Sequence, residues 1–256
     1  MRTLFHLVAA AVLAGASPAS AHYNMLLPSS SSGKKGEAVT FTYQWGHPYE
    51  HQLFDAPKPT KVAVRTPDGK LEDVTARLEQ VALDGDKGKA AGWRFAYTPQ
   101  QRGDFVFVLQ TAPVFLEEDG EFVQDTVKVV LHVQAQKGWE ALTQGDFEWE
   151  PLTRPYGLEP GMAFQARIDN ANKLAANPFV EGERYNETPP KNLPPEEHMT
   201  RVSRPGPNGV VTCTLTDAGW WCLTTARAGG KRLRDGKEVP VRQRATLWVF
   251  VDEKAK

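Results

Sequence analysis

The chain has 256 residues and is electrically balanced, with 30 basic and 31 acidic side chains. No basic stripe stands out, so the electrostatic footprint of a nucleic-acid-binding protein is absent. The length allows one large domain or two modest ones, and we expect two.

The N-terminal segment, residues 1–21, has the three parts of a secretory signal peptide. Arg2 precedes an apolar run from Leu4 to Ala16, and Ala19-Ser20-Ala21 supplies the small residues of a cleavage site. Cleavage there makes His22 the first mature residue and predicts an exported, periplasmic protein. No later stretch reaches the roughly 20 apolar residues of a spanning helix, so no membrane insertion is expected.

Residues 22–136 are predicted to form a sandwich of short antiparallel strands. Several segments alternate apolar and polar residues, which is the period of a half-buried strand. Turn sequences such as Pro67-Asp68-Gly69 separate them. The segments are Val39–Trp45, Lys61–Val64, Trp93–Tyr97, Phe105–Leu109 and Val127–Val133.

A change of pattern at residues 137–160 predicts a linker. Gly138–Leu142 is compatible with a helical turn, and a Pro-containing passage follows at Glu150–Gly157. Alternating segments then resume, which predicts a second, smaller sandwich over residues 161–256. These segments are Met162–Ile168, Val180–Tyr185, Gly209–Leu215, Gly219–Thr225 and Ala245–Val251.

Two further features of the second half carry expectations. Asn186–Asn208 is rich in Pro and charge, which predicts a long surface loop or a flexible insertion. Cys213 and Cys222 flank a turn-like segment, and a hairpin there would place them opposite each other for a disulfide bond. The alternative, a pair of metal-binding thiols, lacks the C-x-x-C spacing and a neighbouring histidine.

His22 is the first candidate for chemistry, because cleavage would give it a free α-amino group as well as an imidazole. Together the two groups can chelate one metal ion. The intrinsic pKa of such an amine is about 8, so a bound cation can make it a ligand at neutral pH. The third mature residue is Asn24, so the amino-terminal copper and nickel motif with a third-position histidine is missing.

The segment from Trp45 to Asp55 strengthens this expectation. It gathers His47, Glu50 and His51 with Asp55 within nine residues. Pro48 disfavours a helical conformation at His47, so we expect a loop that follows a strand. Imidazole ligands suit nickel, copper, cobalt and zinc, and carboxylates can complete or orient the shell. The alternative is a solvated polar turn.

Two other histidines are weaker candidates. His132 lies on a predicted strand opposite its apolar face, which favours a solvent-facing residue, and His198 lies on the Pro-rich loop. The sequence also lacks G-x-S-x-G, H-E-x-x-H, a P-loop and a G-x-G-x-x-G in a strand-to-helix context. We therefore do not expect an enzyme.

Four elements resemble bacterial periplasmic proteins of the domain of unknown function 4198 family. They are Ala21–Pro28, His47-Pro48-x-Glu50, Glu150–Leu158 and Asp217–Trp221. The resemblance implies an immunoglobulin-like sandwich followed by a transthyretin-like or carboxypeptidase-regulatory-like sandwich. It also implies an accessory component of a nickel or cobalt uptake system.

The combined expectation is a periplasmic protein that binds a divalent transition metal and delivers it to a membrane permease. His22 and His47 form the core of the expected site, Glu50 and His51 are candidate third ligands, and Asp55 is a weaker one. Nickel or cobalt is favoured, and copper is an alternative because affinity rises from cobalt to copper. Two rivals are a non-catalytic protein- or carbohydrate-interaction module and a copper redox enzyme.

Overall fold

The computed structural model describes residues 22–143, 145–168 and 179–254. Residues 1–21, where the signal peptide is predicted, lie outside the described residues. Within the described ranges almost every regular element is a strand, which confirms the predicted all-β class. No helix in these ranges has the length and apolar character needed to cross a membrane.

Each strand predicted from the sequence is present, with ends that differ by up to several residues. The strands are β1 Tyr23–Pro28, β2 Ser32–Gly33, β3 Val39–His47, β4 Gln52–Phe54, β5 Lys61–Arg65, β6 Leu71–Asp73, β7 Glu79–Gly85, β8 Gly88–Tyr97, β9 Gly103–Gln110, β10 Val114–Leu116, β11 Glu121–Val133, β12 Trp149–Pro151, β13 Ala163–Ile168, β14 Val180–Arg184, β15 Arg201–Ser203, β16 Val210–Thr214, β17 Gly219–Arg234 and β18 Lys237–Val251. A short 3₁₀ turn at Thr75–Arg77 and a one-turn helix, α1, at Glu196–Met199 complete the described elements.

The strands form three sheets within the described ranges. The N-terminal sheet has the order β1-β3-β8-β7, with β4 also paired to β3. The large sheet has the order β15-β14-β17-β18-β11-β9-β5-β6, with β2 and β10 paired to β11. The small sheet has the order β12-β13-β16. The large sheet lies between the other two sheets, because each of the two main cores includes side chains from it.

The main core fills the space between the N-terminal sheet and the large sheet. Phe41 stacks on Phe95 with ring centroids 5.0 Å apart and meets Phe107 at 4.1 Å. All three rings are buried, and each contributes about 1.5–3 kcal/mol through removal from water. A second core, which includes Trp149, Phe164 and other apolar residues, lies between the large and small sheets.

The large sheet takes strands from both predicted domains, because β11 and β18 pair in parallel. Their register runs from Phe122 opposite Val241 to Val129 opposite Trp248. The predicted linker, residues 137–160, contains β12 and packs on the face of the large sheet that lies away from the N-terminal sheet.

A buried ion pair fixes this linker to the sheet. The Lys128 ammonium lies 2.7 Å from a carboxylate oxygen of Glu148, and each residue is 1% exposed. Lys128 also donates to the carbonyl of Trp149, and Glu148 accepts hydrogen bonds from the backbone of Thr143 and Gly145. These bonds satisfy both charges, as burial of an ion pair requires.

Strand β1 is buried along its whole length because it is covered on both faces. It pairs with β3 and also lies against β11 and β18. The Trp248 indole donates to the carbonyl of Asn24 over 3.1 Å. His22 directly precedes β1, so its backbone is attached to a strand that the core of the molecule holds in place.

The predicted disulfide bond is wrong, since both cysteines are free thiols. Cys213 lies on β16 of the small sheet, opposite Phe164, whereas Cys222 lies on β17 of the large sheet, opposite Trp248. Residues 215–218 carry the chain from one sheet to the other and do not close a hairpin. Turn-forming residues are common to both kinds of connection, so the sequence pattern did not distinguish them.

Two expectations about irregular segments also need correction. The Pro-rich stretch 186–208 contains α1 and the edge strand β15, whose Val202 pairs with Glu181 of β14. An edge strand tolerates neighbouring prolines because one of its sides needs no partner. Gly138–Leu142 forms a turn without a helix, closed by a hydrogen bond from Ala141 to Gly138.

Candidate metal centre

Strand register brings the two principal candidates together. Strand β1 pairs with β3 from Tyr23 opposite Gly46 to Pro28 opposite Phe41. One further step of the same register places His22 opposite His47. His47 is the last residue of β3 and pairs with Gln52 of β4. The two strands form a hairpin where the sequence had suggested a loop.

The two imidazoles lie in an aromatic cluster. The ring centroids of His22 and His47 are 4.8 Å apart. The His22 ring also lies 4.9 Å from Phe54 and 5.4 Å from Trp45. Trp45 and His47 share a face of β3 because side chains alternate along a strand. That face continues the main core, so the histidines stand where the core reaches the surface.

His22 has a buried nitrogen whose hydrogen-bonding capacity is unmet. Its Nδ1 atom is shielded from solvent and has no hydrogen-bond partner among the described residues. An unsatisfied buried polar atom costs about 1–3 kcal/mol, so such atoms call for an explanation. Nδ1 is also the imidazole nitrogen nearest the backbone, where a free α-amino group would stand after cleavage. The position fits a metal-binding role.

The charge state of His22 also suits a metal ligand. Burial, followed by the neighbouring His47, lowers the pKa of His22 below its usual value, although the carboxylates of Glu118 and Asp119 oppose this. A lowered pKa keeps the imidazole neutral at pH 7, and a neutral imidazole is the form that binds metals.

Glu50 lies beside His47, three residues along the hairpin turn. Its Oε1 atom is 3.7 Å from His47 Nδ1, and both side chains are mostly shielded from solvent. This contact is the main cause that lowers the pKa of Glu50, and burial opposes it. The contact is longer than a hydrogen bond, and it places a carboxylate beside the imidazole, as is common for metal-binding histidines.

The structure does not bring His51 and Asp55 into the cluster. His51 is buried, and its Nδ1 and Nε2 atoms face the backbone carbonyls of Asn186 and Asp84 at 2.8 and 3.1 Å. A neutral imidazole donates one hydrogen bond, so in either tautomer one of these carbonyls accepts from His51 and fixes the ring in the hairpin turn. Asp55 accepts a hydrogen bond from the backbone of Ala91. Both residues therefore have structural partners in this arrangement.

A buried carboxyl that the sequence did not single out, Glu183 on β14, supports the same turn. It accepts hydrogen bonds from the backbone N–H of Tyr49 at 2.9 Å and from the hydroxyl of Thr200 at 2.8 Å. Burial raises the pKa of Glu183 to about 7, against the effect of these two hydrogen bonds. Its strand position was visible in the sequence, but its burial depends on how the turn packs.

The β10–β11 hairpin carries an acidic turn at positions 117–119. Glu118 and Asp119 act electrostatically on His22 although they lie almost a hundred positions along the chain. Gly120 suits this turn, because it adopts a positive φ of 65° that glycine tolerates readily. Nothing in the sequence pattern related this turn to His22.

The structure places the weaker histidine candidates elsewhere. His132 is not solvent-facing as predicted, because its Nδ1 lies 2.8 Å from the buried carboxylate of Asp104 and its ring stacks on Tyr156 at 4.3 Å. The linker covers that face of the sheet, which the alternation pattern could not show. His198 lies on α1, where no residue is buried.

The side chains alone do not form a complete metal cage. Within the described ranges, no three His, Cys, Asp or Glu side chains converge closely enough to hold an ion. The arrangement offers two imidazoles and the position of one backbone amine, with carboxylates near them.

The described residues therefore define an all-β protein of stacked sheets that carries a histidine pair at the start of its first strand. The chain belongs to the family described as domain of unknown function (DUF4198), whose model matches residues 19–229. A search of curated proteins found no significant match.

Solved structures give distant similarities. Trypsin-activated alpha-2-macroglobulin from Escherichia coli is 14% identical with a TM-score of 0.26, over 91% of this chain and 16% of that one. The native conformation of the same Escherichia coli protein gives 14% identity and a TM-score of 0.25, over 91% of this chain and 14% of that one. A DUF4785 family protein from Legionella pneumophila is 11% identical with a TM-score of 0.28, over 78% of this chain and 51% of that one. This chain thus spans only part of each.

Proposed function

We propose that the mature protein binds a divalent transition metal ion through His22 and His47. The observation that carries the proposal is the buried, unpartnered Nδ1 of His22 beside the second imidazole, with ring centroids 4.8 Å apart. After cleavage, the amine and Nδ1 of His22 would chelate the ion, and the ring of His47 would supply another nitrogen. The ion would satisfy the buried nitrogen.

The surroundings suit such a site. Trp45 and Phe54 flank the His22 ring, and the Glu50 carboxylate lies 3.7 Å from Nδ1 of His47. Nitrogen ligands favour copper, nickel, cobalt and zinc over magnesium and calcium. Nitrogen ligands do not distinguish copper, nickel and cobalt from one another, because the affinity of any such site rises from cobalt through nickel to copper.

The biological role that we propose is capture of nickel or cobalt in the periplasm and delivery to a membrane permease. The support is the signal peptide predicted from the sequence and the role in nickel or cobalt uptake that the family resemblance implies. No covalent step is needed, so we propose a binding protein and not an enzyme. Copper handling is the alternative for the same site.

The test is a metal titration of protein whose first residue is His22. The metal-free protein would be titrated by calorimetry with nickel, cobalt and copper chlorides in turn. We expect one ion to bind per chain, with protons released because the amine must lose its proton. Lack of binding for all three metals would refute the site.

The matched control is the same protein extended by one glycine before His22. The extension keeps both imidazoles but moves the amine away from the chelate, so we expect a large loss of affinity. Equal binding by the two forms would show that the amine takes no part.

A second candidate function, an interaction module, is favoured by an open groove elsewhere on the molecule. The groove has a volume of about 870 Å³ and contains aromatic residues among polar ones. The aromatic residues are Tyr185, Trp220 and Phe250, and Arg94 with the serines at 29–32 supplies polar groups. Such a mixture suits a sugar or a peptide. A rise of the melting temperature with soluble oligosaccharides, but not with metals, would favour this function.

A further inference from the structure

The open groove of about 870 Å³ lies between the N-terminal sheet and the end of the large sheet. Its first group of lining residues belongs to the outer face of the N-terminal sheet. Thr42 of β3 and Arg94 of β8 lie opposite each other there. Their side chains point away from the core, because the neighbouring Phe41 and Phe95 are buried in it. A groove of this size between two parts of a molecule is typical of a ligand site.

The second group of lining residues comes from the C-terminal half of the chain. Residues 185 and 187–189 follow β14, whereas Trp220 and Phe250 belong to β17 and β18. The two aromatic rings meet edge-on with centroids 5.0 Å apart, and Phe250 is only partly buried. These rings give the groove an apolar part beside its polar side chains.

Arg94 brings a positive charge to the groove. Its side chain is exposed, and its neighbour across the strand pair is Glu79 of β7. Among the described residues, neither Glu79 nor another carboxylate forms a salt bridge with Arg94. The guanidinium is therefore open to a ligand, and a guanidinium binds a carboxylate through two parallel hydrogen bonds.

Glu187 and Asp252 bring negative charges to the same groove. Neither carboxylate forms a salt bridge in the part of the chain that the structure describes. Asp84 also lines the groove, but its carboxylate is paired with Lys89. The groove thus contains one guanidinium and two carboxylates that do not pair with one another. A ligand with both a carboxylate and an ammonium group complements this set of charges.

We propose that the groove binds a short peptide by its free termini, with the carboxylate at Arg94 and the ammonium group at Glu187 and Asp252. The proposal rests on the second candidate function, the interaction module, and does not depend on the metal site. An apolar side chain of the peptide would pack against Trp220 and Phe250. Capture of peptide termini is a recurring mode of recognition. A neutral sugar would leave the three charged groups without partners.

The experiment uses metal-free protein that starts at His22 and the tripeptide alanyl-phenylalanyl-alanine. The peptide would be titrated by calorimetry in three forms: with both termini free, with an amidated C-terminus, and with an acetylated N-terminus. Arg94→Gln removes the proposed partner of the carboxylate. Arg102→Gln is the control, because it removes an exposed guanidinium that does not line the groove. Circular dichroism would show that the variants fold.

We expect the free peptide to bind and Arg94→Gln to weaken its binding about 10-fold. The same variant should bind the amidated peptide as the unsubstituted protein does, because that peptide has no carboxylate. The double variant Glu187→Gln, Asp252→Asn should weaken binding of the free peptide and leave binding of the acetylated peptide unchanged. Arg102→Gln should leave all three affinities unchanged.

Two results would overturn the peptide: equal affinity of the unsubstituted protein for its three forms, or equal effects of Arg94→Gln and Arg102→Gln. Stabilisation by soluble oligosaccharides without peptide binding would also overturn it, and the groove would remain an interaction site. Absence of binding for peptides and oligosaccharides alike would overturn the second candidate function together with this inference.

Discussion

Two histidines of this protein differ in how their Nδ1 atoms are satisfied. His132 has its carboxylate partner, because Asp104 lies 2.8 Å from Nδ1 and also accepts the backbone N–H of Lys137. His22 has a shielded Nδ1 without a partner, and its nearest polar ring is another imidazole. Both rings are partly buried, and the His132 ring stacks on Tyr156 whereas the His22 ring meets Phe54 edge-on.

The difference separates a structural histidine from a candidate ligand. Buried polar groups are nearly always paired, and the exceptions concentrate where a ligand, ion or water is missing. His132 follows the rule and joins the large sheet to its covering linker. His22 departs from the rule at the position where a mature N-terminus is predicted. The predictions that follow test this division.

The largest expected effect lies on the structural side, at the buried ion pair near His132. Glu148→Gln would leave the buried ammonium of Lys128 without its carboxylate. We expect the free energy of unfolding to fall by about 3–5 kcal/mol in chemical denaturation. Glu238→Gln breaks the exposed pair with Lys231 and should cost less than about 1 kcal/mol. Metal binding should be unchanged in folded protein, and similar losses in both variants would contradict this interpretation.

The next effect concerns Glu183, beneath the hairpin turn of the histidine pair. Its pKa is about 7 in the folded protein against an ordinary value of 4.5. The folded protein therefore binds the proton more tightly than the unfolded chain does. The resulting stabilisation is full below about pH 4.5 and is lost as the pH rises through 7, by up to about 3 kcal/mol.

The check is denaturant unfolding of the unsubstituted protein and of Glu183→Gln between pH 4.5 and 8. The variant keeps a neutral group of the same shape, so its stability should fall less as the pH rises. Parallel curves for the two proteins would show that Glu183 keeps its ordinary pKa.

A smaller effect is expected for His47→Ala, on the binding side. Removal of this imidazole should weaken nickel or copper binding about 100-fold, which corresponds to about 2.7 kcal/mol. The unfolding free energy without metal should change little, because His47 lies at the end of its strand where the core meets the surface. His51→Ala is the matched comparison in the same hairpin. It should lower stability and keep most of the affinity, and the reverse pattern would exchange their roles.

The smallest effect is expected for His132→Ala. The variant would remove one hydrogen bond from the buried Asp104 carboxylate and leave the bond from Lys137. We expect a loss of about 1–3 kcal/mol in unfolding free energy and no change in metal affinity. A loss of metal binding in this variant would remove the distinction between the two histidine regions.

Much of the fold could be predicted because alternation of apolar and polar residues is a local property. Segments such as Phe105–Leu109 and Val127–Val133 had the period of a strand, and both lie within strands of the large sheet. The pairing of those strands could not be predicted in the same way. The parallel contact of β11 with β18 joins residues more than a hundred positions apart, and no local pattern encodes it.

The candidate site was predicted in part. His22 and His47 were identified from their residue type and from the expected cleavage point. Glu183 was missed because an acidic residue in a strand has no sequence signal for burial or for the neighbour it meets. His51 was expected as a candidate third ligand, since the sequence did not show that its ring faces the backbone carbonyls of Asn186 and Asp84.

The sequence by itself determined the all-β class, the places of the main strands and the two histidines that merit attention. These properties depend on side-chain type and short-range spacing. The tertiary structure decided that Cys213 and Cys222 lie on different sheets, that His132 is covered, and that the carboxyl of Glu183 is buried beneath the hairpin turn. Each of these depends on contacts between distant segments, and such contacts form only when the sheets pack.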